Sequence, residues 1–95
     1  MPVKKRLEWS RRAERDIYGI HDYIAADNPK AAESVIALLI KSAASLIDFP
    51  AVGHEGAESG TRELVLTKYP YTIVYRLTAA KIRIVAIMHQ SRQYP

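Results

Sequence analysis

The sequence predicts an α+β fold in which a helical hairpin packs on one face of a small, mainly antiparallel sheet. Two stretches, residues 10–26 and 29–48, place apolar side chains at helical spacing. A glycine-rich loop without periodicity, residues 51–60, follows them. Beyond it, residues 62–92 contain three alternating runs joined by short turns. Sequential strands with short connections are typical of an antiparallel meander.

The first half of the chain supplies the remaining elements and their boundaries. Residues 4–9 alternate polar and apolar side chains, which predicts a short, half-buried strand. Ser10 is a candidate N-cap for the first helix. Asn28 and Pro29 break the helical pattern and suit the N-cap and first position of the second helix. The predicted element order is therefore β-α-α-β-β-β, in one domain over residues 1–95.

Alternation assigns the residues of the last strands, 71–77 and 81–89, to two faces of the sheet. The expected apolar face holds Tyr71, Ile73, Tyr75 and Leu77 from one strand, and Ile82, Ile84, Ala86 and Met88 from the other. The opposite face is expected to hold Thr72, Val74 and Arg76, and Arg83, Val85, Ile87 and His89. We expect the apolar face to meet the helices. If the register allows it, the open face gathers Arg62, Arg76, Arg83, His89 and Arg92.

Composition limits the classes of function. The chain has 95 residues, no cysteine and a formal net charge of +4. The lack of cysteine excludes disulfides and cysteine-based metal sites. The basic start is followed by no apolar run of signal-peptide type, and no stretch approaches the roughly 20 apolar residues that span a bilayer. We expect a cytoplasmic protein without a membrane role, metal or cofactor, whose charge favours an acidic or polyanionic partner.

Three blocks of residues resemble the RelE/ParE superfamily of toxins. They are residues 60–64 (Gly-Thr-Arg-Glu-Leu), 69–76 (Tyr-Pro-Tyr-Thr-Ile-Val-Tyr-Arg) and 84–92 (Ile-Val-Ala-Ile-Met-His-Gln-Ser-Arg). Their order behind a helical hairpin is similar as well. The resemblance implies a growth-arresting toxin that a cognate antitoxin holds inactive, as a hetero-oligomer. A homodimer is also possible from the sequence.

The superfamily divides by target, and the resemblance leaves both branches open. RelE-like members cut messenger RNA on the ribosome, whereas ParE-like members poison DNA gyrase. Metal-free RNA cleavage needs an acid or base, for which His89 is the candidate, and cations for the phosphate. The candidate cations are Arg62, Arg76 and Arg92, and Tyr71, Tyr75 or Tyr94 could stack on a base.

Two features favour the ParE-like branch. Nucleases of the RelE type usually have a lysine-rich middle or a paired glutamate for proton transfer. Here only Lys68 lies between Lys41 and Lys81, and none of the candidate carboxylates, Glu55, Glu58 and Glu63, stands in a matching motif. The ending of the chain also looks more like ParE. The expected target-binding set is the same in either branch: Arg62, Tyr71, Arg76, Arg83, His89 and Arg92. A third hypothesis is a non-toxic module that only binds a partner.

Overall fold

Two helices and five strands make up residues 4–91, the part of the chain that the computed structural model describes. Strand β1 is Arg6–Trp9, and helices α1 and α2 are Arg11–Ala25 and Pro29–Ser45. The later strands are β2 (His54–Glu55), β3 (Thr61–Val65), β4 (Tyr71–Leu77) and β5 (Lys81–His89). The predicted order is confirmed, with one addition. Strand β2 lies within the segment predicted as a loop.

Side-chain caps begin both helices where the sequence predicts them. Ser10 has extended backbone dihedrals, and its hydroxyl accepts a hydrogen bond from the amide of Ala13 at 3.0 Å. Asn28 does the same for Ala31 at 3.1 Å, and Pro29 follows in the first turn. These caps satisfy amides that the first turn of a helix leaves without intrahelical partners. The short link between the helices makes them a packed hairpin.

The sheet has the strand order β1-β5-β4-β3-β2. Strand β1 is parallel to β5, and the other neighbouring pairs are antiparallel. A parallel neighbour requires a crossover connection, and the helical hairpin together with the meander provides it. The sheet is therefore mainly antiparallel, as the sequence predicts.

Both helices pack on one face of the sheet, here called the helix-side face, and the other is called the outer face. The largest side chains that are fully buried between them are Leu39, Leu46, Ile73, Tyr75, Ile82 and Ile84. Neither helix within residues 4–91 combines the length and apolarity needed to cross a bilayer.

A β-bulge at Val85 divides β5 into two halves with opposite alternation. Val74 of β4 pairs with Ala86, but the next residue, Tyr75, pairs with Ile84. Val85 is therefore an extra residue on β5. The carbonyl oxygen of Val85 accepts a hydrogen bond from the Ser10 hydroxyl at 2.9 Å. The residue that caps α1 thus also provides a hydrogen-bond donor for the bulged residue.

The bulge corrects the predicted faces of β5. Ile87 and His89 were expected beside Arg83, but they pair with Ile73 and Tyr71 on the helix-side face. Ala86 and Met88 were expected to meet the helices, but their partners, Val74 and Thr72, place them on the outer face. Strict alternation fails because one inserted residue reverses the direction of every later side chain.

Candidate functional site

The register divides the expected target-binding residues between the two faces of the sheet. Arg76 and Arg83 are paired with each other on the outer face. Tyr71 and His89 are paired with each other on the helix-side face, and Arg62 shares that face with Tyr75. The predicted convergence on one surface is therefore wrong. Residue 92, the last arginine of the set, and residue 94, the last tyrosine, lie outside the described residues.

The outer face carries a row of charged residues across β1, β5 and β4, which ends at Glu58 in the loop before β3. Glu8 of β1 is the register partner of Arg83, and its carboxylate forms ion pairs with Arg83 and with Lys81, the latter at 3.2 Å. The hydrogen bond from Lys81, followed by the positive charges of both partners, holds the pKa of Glu8 below its usual value. On the far side of the row, Arg76 lies 3.7 Å from a carboxylate oxygen of Glu58. The two facing arginines are thus flanked by acids.

Arg62 is bound to the loop that follows α2. Its Nε donates to the carbonyl of Gly53 at 3.1 Å, and its Nη2 donates to the carbonyl of Ala51 at 3.0 Å. The buried Tyr75 holds the same loop: its hydroxyl donates to the carbonyl of Pro50 at 2.8 Å and accepts from the amide of Gly53 at 3.0 Å. Arg62 therefore has a structural role in addition to any contact with a target.

A cavity of about 550 Å³ lies between α1 and the end of β5 and is here called the α1–β5 pocket. Tyr71 and His89 from the expected set line it, and their rings meet edge to face with centroids 5.3 Å apart. The other lining residues are Arg15, Asp16, Gly19, Ile20, Tyr23, Ile87 and Ser91. The pocket therefore combines aromatic walls with charged and hydrogen-bonding groups.

Asp16 connects the wall of this pocket to the edge of the sheet. Strand β1 ends beside Ile84, so β5 continues past its parallel neighbour. There the amide of Ile87 donates to Oδ2 of Asp16 at 3.0 Å. Helix α1 thus covers an edge that would otherwise present an unpaired donor, a common protection for exposed edge strands.

Sequence reasoning missed the contribution of α1 to this pocket. Arg15, Gly19 and Tyr23 are spaced by four residues and so form one row on the helix. The row was readable from the sequence as a second, non-core face of α1. The Val85 bulge, which brings His89 opposite this row, had no comparable signal.

An apolar groove of about 440 Å³ follows the surface of the helical hairpin and is here called the hairpin groove. Trp9, Ile17, Tyr18, Ile36 and Ile40 give it an apolar floor and rim, with Glu14 and His21 also lining it. Tyr18 and Ile40 remain 66% and 52% exposed, and because both line the same groove they form one exposed apolar patch. Such a groove fits an amphipathic helix of a partner.

Within residues 4–91, no three histidine or acidic side chains come together in a way that could hold a metal ion.

Two curated proteins similar to this chain are toxins by name. "Putative toxin Y4kP" of Sinorhizobium fredii is 39% identical over 92 residues, which cover 97% of this chain and 95% of that protein. "Toxin RelE2" of Caulobacter vibrioides is 37% identical over 87 residues, covering 92% of this chain and 97% of that protein.

Solved structures share the fold. The chain matches a structure described as the chromosomal ParDE toxin–antitoxin system from P. aeruginosa with a TM-score of 0.81 and 24% identity, covering 90% of this chain and 96% of that one. A weaker likeness, with a TM-score of 0.52 and 18% identity, is to the E. coli DinJ–YafQ toxin–antitoxin complex, covering 94% and 96%.

The family model described as "ParE toxin of type II toxin-antitoxin system, parDE" matches residues 7–94. The family model and the curated relatives together define a toxin of a type II toxin–antitoxin system. The chain belongs to the ParE toxin family.

Proposed function

We propose that this toxin arrests growth by inhibiting DNA gyrase and that a cognate antitoxin neutralises it. One observation carries the choice of gyrase over messenger RNA. The expected acid or base, His89, lies on the helix-side face, whereas Arg76, one of the cations expected for a nuclease, lies on the outer face. A second expected cation, Arg62, is bound to the loop after α2. Metal-free RNA cleavage requires these groups around a single phosphate. Arg76 is separated from His89 by the sheet, and Arg62 donates to backbone carbonyls of the loop, so the described members of the expected nuclease set do not surround one phosphate.

A paired activity assay tests the target. The purified toxin is expected to inhibit supercoiling by gyrase and to leave ribosome-bound messenger RNA intact in a translation extract. Codon-phased cleavage of the messenger, with supercoiling unaffected, would overturn the proposal in favour of a ribosome-dependent nuclease. Unimpaired growth on induction, at good soluble expression, would instead indicate a binding module without toxicity.

The outer face is the proposed contact surface for the target. It presents Arg76 and Arg83 side by side, each about half exposed, next to the more apolar part of the same face. Arg83→Gln is expected to weaken supercoiling inhibition without unfolding the chain, because the side chain makes only surface contacts. Lys41→Gln, the same loss of charge on exposed α2, is the matched control. Equal inhibition of supercoiling by both variants would show that Arg83 does not contact the target.

The hairpin groove is the proposed antitoxin site. An apolar face of an antitoxin helix would cover Tyr18 and Ile40, whose exposure is otherwise unfavourable. Ile40→Glu places a charge in the groove, and Ala37→Glu places the same charge on an exposed position of α2 outside its lining. Co-expression of the antitoxin is expected to rescue growth for Ala37→Glu and to fail for Ile40→Glu. Equal rescue of both would contradict this site.

A further inference from the structure

We infer that the α1–β5 pocket binds a nucleotide, with its phosphate held by Arg15 and His89 and its base stacked on tyrosine. The pocket lies on the helix-side face, apart from the outer face and from the hairpin groove. Its volume of about 550 Å³ falls within the range of roughly 300–1,000 Å³ that small-molecule sites occupy. The inference concerns binding only and is independent of the proposed target.

His89 presents a hydrogen-bond donor to the pocket because its other nitrogen is already an acceptor. The backbone amide of Ser91, which can only donate, lies 3.1 Å from Nδ1. The Ser91 hydroxyl is 2.7 Å from the same nitrogen. In the neutral ring the proton must then reside on Nε2. A phosphate oxygen is the natural acceptor for this N–H when a guanidinium stands in the same pocket.

The one acidic residue of the lining, Asp16, is already engaged by neighbouring groups, which leaves Arg15 as the charge that an anion would meet. Arg15 contributes a positive charge from the exposed surface of α1. The carboxylate of Asp16 faces two compensating groups: the Ile87 amide at 3.0 Å, and the Nε of Arg12 at 3.8 Å. Because Arg12, outside the pocket, offsets Asp16, the guanidinium of Arg15 is not cancelled by the carboxylate beside it.

The aromatic walls distinguish a nucleotide from a bare anion or an acidic peptide. Tyr71 is 7% exposed and fixed by its contact with His89, while Tyr23 is 77% exposed on the rim. Stacking of a base on an aromatic side chain contributes roughly 1–3 kcal/mol and suits planar rings. Between Arg15 and Tyr23 in the helical row, a Cβ on Gly19 would meet no atom within 4 Å, so this position opens directly into free space.

Binding of small probes tests the inference on the full chain. Calorimetric titration with adenosine 5′-monophosphate, adenosine and inorganic phosphate is expected to give tightest binding for the monophosphate. Arg15→Gln should weaken that binding about tenfold or more, the usual size of a lost charge-assisted hydrogen bond. Arg11→Gln, the same change on the same helix outside the pocket, should have no effect. Phosphate binding as tightly as the monophosphate, or equal loss in both variants, would overturn the inference.

Gly19 provides a second test that removes no existing contact. Gly19→Phe is expected to fill the pocket and abolish binding, while Gly19→Ala should bind like the parent chain. Thermal unfolding checks that both variants remain folded. Titration with a single-stranded deoxyadenosine hexanucleotide shows whether the bound nucleotide belongs to a nucleic-acid strand or is free. Tighter binding than the monophosphate indicates a strand, and weaker binding indicates a free nucleotide. Undiminished binding by folded Gly19→Phe would refute the assignment to this pocket.

Discussion

Removal of the Tyr75 hydroxyl separates the structural role of Arg62 from any role in target binding. Both side chains hold the loop after α2, but only Arg62 carries a charge. Tyr75→Phe deletes one hydrogen bond to the carbonyl of Pro50 and one from the amide of Gly53. Gly53 is buried, so its amide loses its partner without gaining water. Tyr75→Phe therefore loosens the loop with no change in charge.

The expected cost follows from these two contacts. A buried polar group left without a partner costs about 1–3 kcal/mol, and we expect about 2 kcal/mol for Tyr75→Phe. For a domain of this size that corresponds to a fall in melting temperature of about 10 °C. Tyr18→Phe, which removes the same hydroxyl from an exposed ring, should stay within about 0.5 kcal/mol of the parent chain. Urea denaturation measures both.

Assays of supercoiling inhibition then compare Tyr75→Phe with a variant of Arg62. Arg62→Gln also releases the loop, because it removes the hydrogen bonds to the carbonyls of Gly53 and Ala51. If Arg62 acts only through the loop, Arg62→Gln and Tyr75→Phe should lower inhibition to a similar degree. If Arg62 also contacts the target, only Arg62→Gln should lower it strongly. A Tyr75→Phe chain as stable as Tyr18→Phe would refute the argument from the loop.

Two further predictions concern the edges of the sheet. Asp16→Ala should cost about 1–2 kcal/mol by urea denaturation, because the amide of Ile87 loses its acceptor, while the exposed Asp22→Ala should change little. The stabilisation from Glu8 should be present in full above its usual pKa of 4.5 and be lost as the pH falls through its lower folded pKa, because protonation removes the ion pairs with Lys81 and Arg83. The melting temperature of Glu8→Gln should accordingly fall less than that of the parent chain over this acidic range, and parallel curves would contradict the assignment.

The sequence predicted the elements well because their signals are local. Ser10 and Asn28 are caps, and a cap depends on only a few neighbouring residues. The apolar face of β4 followed from strict alternation and is confirmed by the burial of Ile73 and Tyr75. Strand β2 was missed because its pairing with β3 is long-range and involves only two residues.

The site was harder to predict because it depends on register. The bulge at Val85 arises from how β4 and β5 pair, and one extra residue reverses every later side chain of β5. His89 consequently faces α1 and lies on the opposite face from Arg76 and Arg83. The sequence identified Tyr71 and His89 as residues of interest, yet it gave no indication that Arg15 and Tyr23 stand across from them.

The two faces of the sheet permit a final test of whether they act together. Arg83→Gln alters the outer face, and Gly19→Phe fills the pocket on the helix side. Substitutions at distant sites without shared partners change free energies additively. If both surfaces contribute separately to gyrase inhibition, the fold-losses of inhibition caused by the two substitutions should therefore multiply in the double variant. Because the pocket was inferred from its own lining and not from the target, we expect Gly19→Phe to leave supercoiling inhibition unchanged, alone and combined with Arg83→Gln. If Gly19→Phe leaves supercoiling inhibition unchanged, both alone and in combination with Arg83→Gln, the pocket does not take part in gyrase inhibition. A double variant no weaker than Arg83→Gln, when each single variant is impaired, would show instead that both surfaces serve one step.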